Sequence, residues 1–265
     1  MSINNRITDI DTYKITHTYP NIKGISEIHV FFTPLNPAPK TVAKFAEICQ
    51  NINRLNVNNP NFTKIKDCHL CLHYREKGDI RVMQSSRYIT SDNMDDIIKE
   101  CYAEAELIQK GFNEAYEKGE IDEKVNVIRE KIEAVASNVG VPKTDNESQQ
   151  YPKKYFEFHI RLGRKNENTI IHITNEEIEE LKQLSESFTN EFKTPVPLSF
   201  NQTNEHQRYL NVRFENIGSE QAKFNVNKIV KAIDQSKNFK WIKTISEYVW
   251  FDSYRELDGG WIDFQ

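Results

Sequence analysis

No apolar run in this 265-residue chain approaches the roughly 18 residues that cross a bilayer as a helix. The opening MSINNRITDIDTYK lacks the apolar stretch of a secretory signal, so a cytoplasmic location and no membrane partner are expected. Cysteine is scarce: four, at 49, 68, 71 and 101, make no disulfide framework in a chain of this size. Excess positive charge is missing too. With 35 Lys and Arg against 39 Asp and Glu the net charge is −4, which removes general attraction to nucleic acid and requires any anion site to be built locally. The Walker loop, G-x-G-x-x-G, G-x-S-x-G and H-E-x-x-H are all absent, so no motif of those kinds announces a reaction.

What is present is a doubled strand, Ser26-Glu27-Ile28-His29-Val30-Phe31-Phe32 and Phe156-Glu157-Phe158-His159-Ile160-Arg161-Leu162. Alternation places Ile28, Val30 and Phe32 on one face and Glu27 and His29 on the other, and does the same in the second copy. The elements around each copy repeat as well. In the first half, strand 26–33 is followed by a helix through Phe45 and Cys49, strands 67–74 and 79–88, a helix through Ile97 to Ile108 with Gly111 as its stop, and strand 125–135. In the second, strand 155–163 precedes a helix opened by Thr174 or Asn175, strands 195–201 and 208–216, a helix after Gly218-Ser219, and strand 241–252. The order βαββαβ twice predicts an α+β protein of two tandem ferredoxin-like lobes, each an antiparallel sheet with helices on one face. The expected divisions are an N-terminal arm 1–25, a first lobe 26–142, a linker 143–153 and a second lobe with C-terminal tail 154–265.

The uncovered faces carry the chemistry. Parity puts His29, Ser85, Arg87, Arg129, Lys131 and Glu133 on that face of the first lobe, and Glu157, His159, Arg161, Ser199, Asn201, Asn211, Arg213 and Glu247 on that of the second. Arginine forks suit phosphate or carboxylate, and histidine exchanges protons near neutral pH. Two short segments, Gln84-Ser85-Ser86-Arg87 and Ile217-Gly218-Ser219, precede helices and offer usable anion seats, with simple helix caps as the more ordinary reading. Cys68-His69-Leu70-Cys71 with His73 has zinc-like spacing, yet CHLCLHY reads as a strand with Cys68 and Cys71 on opposite faces, and ordinary strand residues are expected.

His172-Ile173-Thr174 resembles one half of the paired H-x-T motif of the 2H phosphoesterases, with no match in the first half of the chain. The alternations Glu157-x-His159-x-Arg161 and Arg129-x-Lys131-x-Glu133 resemble triphosphate-tunnel enzymes without their E-x-E-x-K. A broader similarity is to a little-characterised two-lobed family with tandem ferredoxin-like repeats. It is carried by Arg129-Glu130-Lys131-Ile132-Glu133-Ala134 with Asn138-Val139-Gly140-Val141-Pro142, and by Glu247-Tyr248-Val249 with Asp252-Ser253 and Leu257-Asp258-Gly259-Gly260-Trp261. The resemblance implies the fold and the site list and supplies no reaction.

The expectation is then a protein that binds, and as an enzyme hydrolyses or transfers, a phosphate-bearing ligand in a cleft shared by the two polar faces. An anionic small molecule, a nucleotide or an RNA end would be the ligand, with a divalent cation as an admissible cofactor. Arg129, Lys131, Arg161 and Arg213 would hold phosphate, His29 and His159 would exchange protons, and Glu133, Glu157 and Glu247 would orient them or bind the cation. The alternative is a non-catalytic binding module for a protein or nucleic-acid partner.

Overall fold

Repetition of the same six-element order is visible in the computed structural model, which describes residues 18–74, 78–166, 174–201 and 208–258. The first series is β1 (Gly24–Thr33), α1 (Pro39–Leu55), β2 (Lys66–Tyr74), β3 (Gly78–Ser91), α2 (Met94–Glu117) and β4 (Asn126–Val135). After a one-turn helix, α3 (Asp145–Ser148), the second is β5 (Tyr155–Arg164), α4 (Asn175–Phe192), β6 (Leu198–Asn201), β7 (Arg208–Glu215), α5 (Ser219–Gln235) and β8 (Phe239–Asp252). A short 3-10 turn, Arg255–Asp258, follows.

Local chemistry accounts for these boundaries. Pro39 opens α1 at a position where its missing N–H costs nothing. Asn93 caps α2 by accepting from Asp95 N, and Thr144 and Thr174 each form a reciprocal capping box with the glutamate three residues on. Gly111 does not stop α2, which continues to Glu117. A Cβ at Gly111 would lie 2.9 Å from Ile48 Cγ2, so the glycine is there to let α1 and α2 approach. Gly140 has φ +90°, and a Cβ there would lie 2.0 Å from the carbonyl oxygen of Asn21, so only glycine fits this turn.

The α+β class stands, and the expected arrangement of the strands does not. Two separate sheets facing each other across a cleft are replaced by one hydrogen-bonded order, β1-β3-β2-β6-β7-β5-β8-β4, which closes as a barrel. Each series keeps a four-stranded run of its own, β4-β1-β3-β2 and β6-β7-β5-β8. The physical reason for the correction lies at the edges. An open four-stranded sheet leaves a row of unpaired N–H and C=O groups on each outer strand, and closure removes those edges.

By contacts the chain divides into two compact units, neither continuous in sequence. Unit 1 comprises the described parts of Met1–Leu70, Ile80–Val141 and Val249–Arg255; unit 2 those of Cys71–Asp79, Pro142–Tyr248 and Glu256–Gln265. The core of unit 1 lies between the strands and α1 and α2, where Phe32, Phe45 and Phe112 pack with ring centroids 5.4–5.9 Å apart. In unit 2 Phe156 and Phe158 on β5 are fully buried, and Ala222, Val226, Ile229 and Ile233 form the buried stripe of α5. None of the described helices is long and apolar enough to cross a membrane.

Candidate functional site

In unit 1 the polar side of β1 and β4 is set by their antiparallel register, which pairs Glu27 with Glu133, His29 with Lys131 and Phe31 with Arg129. Residues opposed in this way share a face, so Glu27, His29, Arg129, Lys131 and Glu133 lie together, as strand parity predicts. His29 Nε2 is 3.0 Å from Glu133 Oε2, and the Lys131 ammonium sits on Glu133 Oε1. The Ser86 hydroxyl donates to Glu27. His29 Nδ1 meets the Gln84 side-chain nitrogen at 2.6 Å and the Ser85 carbonyl at 3.3 Å. Burial opposes a charge on the His29 ring, but Glu133, aided by Glu27, outweighs it and holds the imidazole pKa above its ordinary value. One ligand atom from each of Glu27, His29 and Glu133 lies within 4.8 Å of the others.

Arg129 is engaged elsewhere on this face. Its Nε and Nη2 donate to the two oxygens of Asp252 at 2.8 and 2.5 Å, and the guanidinium lies over the Phe31 ring at 5.0 Å. Ser85 and Arg87 are on the other side of the sheet. In the β1–β3 register Ser85 opposes Val30 and Arg87 opposes Ile28, which puts both under α2. There the Ser85 hydroxyl and Arg87 Nε each donate to Glu104 at 2.6 Å, in a place where Arg87 is 3 % exposed. The expected face of β3 is therefore reversed, and Gln84 and Ser86 take the places given to its neighbours. The Gln84-Ser85-Ser86-Arg87 segment is also no anion seat, because it lies inside β3 and the cap of α2 is Asn93.

In unit 2 the β5–β7 register pairs Glu157 with Arg213, His159 with Asn211 and Arg161 with Tyr209, again as parity predicts. Arg213 donates twice to Glu157 Oε1, at 2.9 and 2.7 Å. His159 Nδ1 is 2.6 Å from Asn211 Oδ1, and its Nε2 is 3.3 Å from Glu247 Oε2. The Asn211 amide nitrogen donates to the Pro197 carbonyl at 3.1 Å and to Ser199 Oγ at 2.8 Å, which fixes its oxygen toward His159. Arg161 is half-buried beside Tyr209, and Asn201 ends β6 with its side chain outside the described residues. The Gly218-Ser219 seat is filled by the chain itself. Asp145 accepts from Gly218 N, and Pro142 and Lys143 carbonyls accept from the next two amides.

His73, His172 and Trp261 fall outside the side chains described. Cys68 is half-buried and Cys71 buried on β2, and among the described residues neither joins a three-ligand cluster. Sequence reasoning missed Gln84 and Ser86 as the partners on β3, Glu104 as the counter-charge of Arg87, and Asp252 as that of Arg129. Asp252 stood within a quoted motif, whereas Glu104 sits in a helix stripe with no signal of its own.

No family model and no curated protein matches the chain in sequence. Among solved structures it is similar to a heme-binding protein from Thermus thermophilus, at 12% identity and a TM-score of 0.27 over 88% of this chain and 95% of that one. It is also similar to a dye-decolorizing peroxidase from Bacteroides thetaiotaomicron, at 10% identity and 0.23 over 88% and 96%. A mutant chlorite dismutase from Candidatus Nitrospira defluvii gives 11% and 0.26 over 86% and 92%. Heme is named for the first of these proteins, and scores this low carry nothing about what the present chain binds.

The phosphate reading is corrected by the same geometry. Four of the cations counted on for an anionic ligand are spent on this chain's carboxylates, Arg129 on Asp252, Lys131 on Glu133, Arg213 on Glu157 and Arg87 on Glu104, while Arg161 keeps a buried Nε without a hydrogen-bond partner among the described residues. The Arg129 guanidinium, satisfied bidentately by Asp252, has little left for phosphate. The shared cleft that was to hold the nucleotide or RNA end is likewise replaced by strand closure.

Proposed function

We propose that the protein is a divalent-cation-binding protein whose centre is Glu27, His29 and Glu133 in unit 1. The observation that carries this is the approach of three ligand atoms, from two carboxylates and an imidazole, to within 4.8 Å of one another on paired strands. Such a set, rich in oxygen with one nitrogen, suits manganese, iron or zinc in their divalent states. The Lys131 ammonium already stands on Glu133 as a resident cation, which supports the reading that the site is built for positive charge. His29 is 7 % exposed, a depth that a metal ion tolerates better than an organic ligand does. A bound ion would supply Lewis acidity or an activated water. Glu27 and Glu133 would carry its charge, and His29 would fix its position. The four cysteines, all free thiols, agree with a cytoplasmic setting.

The test is calorimetric titration of chelator-treated protein with zinc or manganese. One ion per chain is expected, with binding weakened at least ten-fold in Glu27→Gln and Glu133→Gln. Lys131→Met should bind more tightly than the wild type, since it removes the competing ammonium. Absence of binding by a folded wild-type protein, or equal affinity in all variants, would overturn the proposal.

A further inference from the structure

We propose that Gln84 is the positioning residue of the Glu27–His29–Glu133 centre, its carboxamide deciding which nitrogen of His29 carries the proton. The inference rests on the divalent-cation reading and adds the device that presents the ligand atom.

Only an imidazole nitrogen without a proton can ligate a metal, and which one that is follows from the hydrogen bond made by the other. At His29 the nitrogen facing the carboxylates is Nε2, 3.0 Å from Glu133. The far nitrogen, Nδ1, receives the amide N–H of Gln84 at 2.6 Å. A neutral ring so placed holds its proton on Nε2 and donates it to Glu133, which is the state without a cation. Ligation by Nε2 requires the proton on Nδ1 and an acceptor for it. Turning the Gln84 amide by half a rotation offers its oxygen at the same place, and the Ser85 carbonyl at 3.3 Å is a second acceptor. Gln84 is 8 % exposed and its backbone is fixed by pairing with Phe31 across β1 and β3, so the amide has few other places to go.

The second copy of the doubled strand supports this from within the molecule. His159 also has its Nδ1 against an amide on the third strand of its series, Asn211 on β7. There the amide nitrogen is committed to Pro197 and Ser199, so its oxygen can only accept, and the Nδ1–H form is locked. Gln84 has no such second and third anchor among the hydrogen bonds of the described residues. The same arrangement is thus fixed in unit 2 and reversible in unit 1.

Nitrogen-15 spectra of the imidazoles in the full chain, recorded at a pH where His29 is neutral, test this directly. In metal-free wild-type protein His29 should be protonated on Nε2, and adding zinc should move the proton to Nδ1. Gln84→Met, which can neither donate nor accept, should mix the tautomers before zinc is added and weaken zinc binding by about 10- to 100-fold. Gln84→Glu, which only accepts, should give the Nδ1–H form without metal. An Nδ1–H signal in the metal-free wild type, or a Met variant with unchanged tautomer and affinity, would overturn the inference. Should the tautomer follow the Gln84 substitutions while zinc fails to bind, the control by Gln84 stands and the cation reading falls.

Discussion

Arg87 and Glu104 show how much a single buried charge can demand of its neighbours. The guanidinium lies beneath α2, 3 % exposed, with Glu104 and Glu100 on its nitrogens and the Phe62 ring 5.0 Å away. Burial pushes the Glu104 carboxyl up, Arg87 and the Ser85 hydroxyl oppose it, and the net shift remains upward. Glu104→Gln leaves the buried arginine without its main counter-charge, and removal of one partner from such a pair costs about 3–5 kcal/mol. A corresponding drop in the urea midpoint is expected. Arg87→Met combined with Glu104→Leu should recover most of it, because a hydrophobic pair of similar volume carries no desolvation cost. A double variant as unstable as Glu104→Gln alone would contradict this account of the pair.

At the scale of elements, Ser253, just past β8, ties the end of that strand to β4 beside the Arg129–Asp252 pair. Ser253 N donates to the Glu130 carbonyl at 2.9 Å, Glu130 N donates to Ser253 Oγ at 2.8 Å, and that hydroxyl donates to Glu130 Oε2 at 2.8 Å. Ser253→Ala removes two of the three, including the one that satisfies the buried Glu130 amide, a loss of about 1–3 kcal/mol. Amide exchange should quicken at Glu130 and its β4 neighbours more than in β5 or β7. The strands were legible to the extent that their two sides differ in polarity. On β1, β5 and β7 the alternation of Ile, Val and Phe with Glu, His and Arg is sharp and the faces follow from it, whereas β4 runs Arg129-Glu130-Lys131 with charge on both faces. On β3 the contrast fails, because Val82 and Met83 are both apolar and Ser85 and Ser86 both polar. The rule that the covered side is apolar also fails where an ion pair lies under a helix, as it does at Arg87. Closure left no trace in periodicity, since pairing β4 with β8 changes which strand is a neighbour and not which side chains alternate.

For the molecule as a whole, two histidines of unit 1 set opposite limbs of the pH dependence. His69, whose Nε2 is buried without a hydrogen-bond partner among the described residues, has its pKa lowered by burial and by Arg81. The unfolded chain therefore takes up that proton first, and stability is lost as pH falls from about 6.5 toward the lowered value. His29 is shifted the other way, so its contribution is complete below about 6.5 and is lost as pH climbs through the raised value. His69→Asn should flatten the acid limb of the urea midpoint against pH and leave the alkaline limb in place; loss of both limbs together would refute the assignment. The cation centre itself is tested most directly by zinc-edge anomalous diffraction from crystals of the full chain soaked in zinc. The account predicts a peak about 2.0–2.2 Å from His29 Nε2 and from an oxygen of each of Glu27 and Glu133, with Lys131 displaced. A map with no peak there, and the Lys131 ammonium still on Glu133, would contradict it.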